Sequence, residues 1–153
     1  SWISKKNGFD VKFIKLSSKI NQFRTKWIFK KISLMLKKFT RPKILLLGLS
    51  YKKNIEDTRE SASIKILKNI KSKKYSIDYC DPYNQKVLLK LKNKNITIYS
   101  KKFSKKLIKK YDFIIISTDH DKFDYKIIKN SKKIIIDLRG RYNNIKSKNI
   151  YQL

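Results

Sequence analysis

Short, unbroken apolar runs recur from Lys43 onward, and they limit the possible folds of this chain more than any other feature. Lys43–Leu49 reads KILLLGL, Phe113–Ile116 reads FIII, and Ile134–Ile136 is three isoleucines in a row. Each run lacks the polar alternation of a half-exposed strand and is too short for a typical helix, so each is expected to be a strand buried on both faces. Tyr75–Tyr79 alternates and stops at Asp81-Pro82, and Ile96–Tyr99 reads as a further short strand. Between the runs, helices are expected through Ile64, Ile66, Leu67 and Ile70, over Val87–Leu91, around Phe103, Leu107 and Ile108, and over Phe123–Ile128. Asp57 followed three residues later by Glu60 resembles a capping box for the first of these. Strand and helix thus alternate from Lys43 to Leu138. The pattern predicts an α/β fold, a Rossmann-like doubly wound parallel sheet with right-handed crossovers.

A different period governs the start of the chain. Phe9, Phe13, Leu16, Ile20, Phe23 and Trp27 recur at spacings of three and four, which lines one face of a long helix over 9–39, with Asp10 placed to cap it. The stripe blurs through Ile28, Ile32, Leu34, Met35 and Leu36, as a bend or a second helix would make it. A face this apolar needs cover. Either it packs on the core of this chain, or it forms a dimer seam or meets a further domain. The expected organisation is a connecting, dimerising helical segment over 1–40 and a sheet domain over 41–153.

The formal net charge of +29 would ordinarily put nucleic acid first among partners. The way that charge is made argues otherwise. Of the basic residues 35 are Lys and only 5 are Arg, whereas phosphate and base readers favour the bidentate Arg fork. Lys, Asn and Ile share A- and T-rich codons and make up nearly half the chain, and the Lys are spread rather than clustered. A basic nucleic-acid-binding module therefore remains only as the alternative, beside a catalytically dead fragment kept for assembly. Nucleic-acid and membrane partners are not expected, since no apolar run approaches the roughly 18 to 20 residues of a spanning helix. A single cysteine, Cys80, excludes an internal disulfide and fits a reducing compartment. The chain begins at Ser1 with no secretory leader pattern, so it is expected to be cytoplasmic and either trimmed or a piece of something longer.

Ligands of open parallel sheets bind at the carboxyl ends of the strands. That directs attention to Ser50–Arg59, Cys80–Asn84, Thr118–Asp121 and Arg139–Asn143, which hold three of the five Arg: Arg59, Arg139 and Arg141. Gly48-Leu49-Ser50 provides one glycine where a dinucleotide fingerprint wants three, and no phosphate-binding P-loop, Cys-x-x-Cys pair or serine nucleophile elbow is present. No catalytic residue and no metal ligand is assigned.

Gly48-Leu-Ser-Tyr-Lys-Lys-Asn-Ile-Glu-Asp-Thr-Arg-Glu-Ser61 resembles the signature of the C-terminal domain of the UDP-glucose/GDP-mannose dehydrogenase family. Tyr79-Cys-Asp-Pro-Tyr83, Ser117-Thr-Asp-His120 followed by Phe123, and Ile136-Asp-Leu-Arg139 are similar to three further blocks in the same order. Upstream, Ser1-Trp2, Gly8-Phe9-Asp10 and Ile20-Asn21 resemble the connecting helix of that family. The Thr-Asp-His block with Phe123-Asp-Tyr125 looks more like dehydrogenases of UDP-N-acetylhexosamines than of UDP-glucose. Ser50, Ala62 and Leu138 depart from the usual residues without removing Lys52, Arg59 or Arg139.

The resemblance implies the nucleotide-sugar-binding part of an NAD-dependent nucleotide-sugar 6-dehydrogenase, which oxidises a UDP-sugar twice to a UDP-uronic acid. NAD would be held mainly by a preceding domain, and the catalytic Cys would also lie before Ser1, so the chain alone would bind and not oxidise. Tyr51 and Lys52 would line the sugar-nucleotide pocket, Arg139 would meet the substrate, and Arg59 would reach the NAD pyrophosphate. The helix stripe would pair two copies. Against these roles stand plainer ones: Lys52 as a solvated surface residue, Arg59 and Arg139 as partners of Glu60 or Asp137, and Cys80 as an inert strand end. His120, the only histidine, either shapes its loop or touches ligand.

Overall fold

The computed structural model describes residues 12–92 and 94–153. Helix α1 spans Lys12–Leu36 and leads into strand β1, Lys43–Leu47. The chain continues through α2 (Ala62–Ser72), β2 (Ser76–Cys80), β3 (Lys86–Lys90), β4 (Asn95–Tyr99), α3 (Lys105–Lys109), β5 (Phe113–Ile116), α4 (Tyr125–Asn130), β6 (Ile134–Asp137) and β7 (Ile150–Gln152). Five strands form one parallel sheet in the order β2-β1-β5-β6-β7. The order runs outward from β1 first to β2 and then, after a crossover, to β5, so the topological switch lies between β1 and β5. This is the doubly wound α/β arrangement that the apolar runs predict.

Period-two geometry divides those runs between two cores. Ile44 and Leu46 of β1, Phe113 and Ile115 of β5 and Ile136 of β6 face a core closed by Ile28, Ile32 and Leu36 of α1 and by Ile66, Leu67 and Ile70 of α2. Leu45, Leu47, Ile114, Ile116 and Ile135 face the opposite core, closed by Ile108, Tyr111, Phe123, Ile128 and Tyr142. Both faces are dry, which is why the strands carry no polar alternation.

Three local expectations are corrected. Val87–Leu91 is not a helix: Lys86–Lys90 pairs antiparallel with Asn95–Tyr99 in a separate two-stranded sheet, with Leu89 buried and Leu88 exposed. The apolar residues crowd so closely there that the period of two is hidden. Asp57 and Glu60 do not form a capping box. Ser61 is the N-cap of α2, its hydroxyl accepting from the Ser63 N–H, while Glu60 has φ 56 and pairs with Lys65. Finally, there is no second helix after Ile28: α1 runs unbroken from Lys12 to Leu36. Its buried side is Thr25, Ile28, Ile32 and Leu36, whereas Phe13, Leu16, Ile20, Phe23 and Trp27 are exposed on another face. Packing of that stripe on this chain's own core is thereby excluded for the described residues. Ser1-Trp2 and Gly8-Phe9-Asp10 lie outside them.

Candidate functional site

At the switch point the ends of β1 and β5 come so close that only glycine fits. Gly48 has φ +82, and a Cβ there would overlap the Thr118 carbonyl. Beyond it lies a cleft of about 530 Å³, walled by the first half of α1 and floored by the ends of β1, β5 and β6 with the start of α2. Its floor is built of hydroxyls. Ser61 Oγ donates to the Leu49 carbonyl at 2.6 Å, Thr118 Oγ1 donates to the Ser50 carbonyl at 2.6 Å, and the Ser63 and Ser117 hydroxyls share a 2.6 Å hydrogen bond. These bonds tie the strand ends to the N-terminus of α2, whose partial positive charge opens into the cleft beside Ser61 and Ser63.

Tyr51 and Arg139 both line this cleft. Tyr51 stands at the tip of the loop after β1, 55% exposed, and its N–H donates to the Asp57 carbonyl at 2.6 Å. Arg139 follows β6. Its N–H donates to Asp137 Oδ1 and the Tyr142 N–H donates to Asp137 Oδ2, so the carboxylate sets the turn. The Arg139 side chain gives its Nε–H to Asp119 Oδ1 at 3.0 Å and is 45% exposed, and its terminal amino groups have no hydrogen-bond partner among the described residues. Its ion-pair partner is thus Asp119; Asp137 meets only its backbone.

Lys52 and Arg59 do not line the cleft. Lys52 is exposed beside Tyr51 and has no ion pair among the described residues. Arg59 is 89% exposed and grips Asp57 with both Nε and Nη2 at 3.0 Å, while its N–H donates to Asp57 Oδ1. Its partner is therefore Asp57 rather than Glu60. The hydrogen bond from Arg59 holds the Asp57 carboxyl down to about 2.

Cys80 is buried, and burial followed by the charge of Asp81 pushes its thiol up to about 12. It stays protonated at neutral pH and does not serve as a nucleophile. The turn after β1 does not fit a dinucleotide either, because a folded loop separates Leu47 from Ala62 where a tight glycine turn would be needed. Among the described residues no cluster of His, Cys, Asp and Glu fits a metal ion, and no helix is long and apolar enough to cross a membrane.

Sequence reasoning missed the hydroxyl floor and the contribution of α1, which brings Asn21, Arg24 and Thr25 to the cleft wall. It also left His120 open. The ring is fully buried, with Nε2 3.1 Å from Asp81 Oδ2 and Nδ1 accepting the Asn54 N–H at 2.9 Å. A lone histidine next to a strand end, with Asp81-Pro82 closing another strand, was the available signal.

Known proteins of similar sequence and fold agree on one kinship. The UDP-N-acetyl-D-mannosamine dehydrogenase of Methanococcus maripaludis is 29% identical over 138 residues, covering 89% of this chain and 29% of that protein. The UDP-glucose 6-dehydrogenase of Rickettsia bellii is 31% identical over 147 residues, covering 90% of this chain and 33% of that protein. The chain thus spans about a third of the length of these curated relatives. In fold it superposes on the GDP-mannose dehydrogenase of Pseudomonas aeruginosa with a TM-score of 0.74 at 15% identity, over 99% of this chain and 36% of that one. The UDP-binding domain of the UDP-glucose/GDP-mannose dehydrogenase family matches residues 45–144, and the chain belongs to that family.

Proposed function

We propose that this chain is the nucleotide-sugar-binding portion of an NAD-dependent nucleotide-sugar 6-dehydrogenase, with a UDP-sugar seated in the cleft between α1 and the carboxyl ends of β1, β5 and β6. One observation carries the reading. In a member of this family, Tyr51, Arg139 and the N-terminus of α2 converge on one hydroxyl-floored cleft at the topological switch point. The helix terminus and the free end of the Arg139 fork suit diphosphate oxygens, and the serine and threonine hydroxyls suit a ribose or sugar. Lys52, exposed and next in the chain to the cleft-lining Tyr51, is the residue offered to the ligand from outside the lining. Several relatives are UDP-N-acetyl-D-mannosamine dehydrogenases, which favours a UDP-N-acetylhexosamine as the sugar.

In this reading the hydride acceptor NAD and the nucleophilic cysteine come from a part of the enzyme outside these 153 residues. Arg59, exposed outside the cleft, is the residue offered to the NAD pyrophosphate. Residues 41–153 act as the binding domain, and residues 1–40 connect it to the rest and pair two copies through Phe13, Leu16, Ile20, Phe23 and Trp27. Alone, the chain binds and does not oxidise.

Calorimetric titration with UDP and UDP-sugars tests the proposal. The folded chain is expected to bind UDP, and Arg139→Ala is expected to weaken it by roughly tenfold, the scale of one lost charge-assisted contact. Lys129→Ala, a charge-matched control on α4, is expected to leave the affinity unchanged. Absence of uridine-nucleotide binding by folded chain would overturn the reading.

A further inference from the structure

The loop bearing Tyr51 and Lys52 is pinned at both ends by one buried acid–imidazole pair. Asp81, at the end of β2, accepts the N–H groups of Leu49 at 2.6 Å and Ser50 at 3.2 Å on Oδ2, and those of Tyr83 and Asn84 on Oδ1. All of these partners donate, so the carboxylate is an acceptor and His120 Nε2 must carry the proton that completes their 3.1 Å contact. The other ring nitrogen, Nδ1, accepts the Asn54 N–H. The partners thus fix a neutral ring with its proton on Nε2.

Asn54 is fastened further. It has φ 62, its amide donates to Asp121 Oδ2, and its Oδ1 accepts the Asp121 N–H at 3.0 Å. Lys53 Nζ pairs with Asp121 Oδ1 at 3.0 Å. Tyr83 and Phe123 pack against the imidazole at ring-centre distances of 5.0 and 5.7 Å, which keeps it from turning. The tip 51–53 is therefore strung between Ser50, held by Asp81, and Asn54, held by His120.

We propose that His120 is a positioning residue for the nucleotide-sugar site, setting the Tyr51–Lys52 tip through the Asn54 N–H while Asp81 fixes its tautomer. The proposal rests on the reading of the cleft as a UDP-sugar site. It goes beyond that reading by giving the buried histidine a role it plays without touching the ligand.

Two substitutions separate the two ring nitrogens. In His120→Asn the side-chain oxygen takes the place of Nδ1 and keeps the acceptor for Asn54. In His120→Gln the terminal amide takes the place of Nε2, keeping the contact with Asp81 and losing that acceptor. Nitrogen-15 spectra of the wild-type imidazole are expected to show the Nε2–H tautomer, with a slowly exchanging Asn54 amide. His120→Asn should keep that amide slow and hold UDP affinity within about threefold, whereas His120→Gln should speed its exchange and weaken UDP by roughly tenfold, the scale of one lost buried hydrogen bond. A wild-type Nδ1–H tautomer, a fast wild-type Asn54 amide, or equal behaviour of two folded variants would overturn the proposal. If neither variant folds, the wild-type tautomer and amide decide. If wild-type protein fails to bind UDP, the functional reading falls, while the tautomer and the Asn54 contrast still judge the clamp.

Discussion

A carboxylate with no solvent contact needs donors on every side, and Asp81 has them. Burial by itself would raise its pKa, but hydrogen bonds from His120 and from the N–H groups of Leu49, Tyr83 and Asn84 outweigh that and hold the group below the usual carboxylate range. Its contribution to stability is fully present above the unfolded-chain value of about 3.9 and is lost as pH falls from there through the folded value. Asp81→Asn points an amide N–H at backbone donors and is expected to cost about 3 kcal/mol of unfolding free energy, read by urea denaturation at neutral pH. That mutant should also lose part of the wild type's acid-side pH dependence. Cys80, next in the chain, gives a simpler test. With its thiol raised to about 12 and buried, it should resist a thiol-titrating disulfide reagent at pH 8 until denaturant is added. The sequence places Asp81 at the end of a strand and His120 after another. Their pairing joins residues 39 apart and has no local signature.

At the scale of elements, α1 has two apolar faces that do different work. Ile32 and Leu36 are fully buried against the sheet, whereas Phe23 is 70% exposed. Ile32→Ala is expected to destabilise the fold by about 3 kcal/mol, and Phe23→Ala to change monomer stability by no more than about 0.5 kcal/mol, both measured by denaturant titration of dilute protein. Periodicity picked out the exposed face because its spacing is regular. The buried face was blurred by the neighbouring Leu34 and Met35. β1, β5 and β6 were legible because two dry faces demand an unbroken apolar run. β3 was not, since Lys86–Leu91 packs its apolar residues too closely for alternation to show. β7 left no trace at all. Its three residues add to the sheet edge through backbone pairing of Ile150 with Ile135 and Gln152 with Asp137, and only Ile150 of the three is even half-buried.

At the scale of the whole molecule, one end of the sheet carries the cleft and one side of α1 carries the exposed apolar stripe. If the exposed stripe pairs two copies, wild-type chain should sediment as a dimer, and Phe13→Asp or Trp27→Asp should shift it to monomer without unfolding it, because neither side chain belongs to the core. A monomeric wild type at high micromolar concentration would refute that role for the stripe. The high Lys content bears little on these surfaces. Of the cations the sequence singles out, only Arg139 lines the cleft, where Arg24 and Lys65 join it, while Lys52 and Arg59 stand outside its lining.

Taken alone, the sequence determined the α/β class, the parallel sheet, the long first helix and the loops that follow the strand ends. Each of these depends on local spacing, on strand ends and on turn chemistry, which are written in consecutive residues. The order of the strands, the face α1 turns inward and the assembly of the cleft depended on tertiary structure. So did the separation of Tyr51 and Arg139, inside the cleft, from Lys52 and Arg59, outside its lining. Those features arise where segments distant in the chain compete for the same buried space and the same hydrogen-bond donors, and that competition is settled only when the sheet has formed.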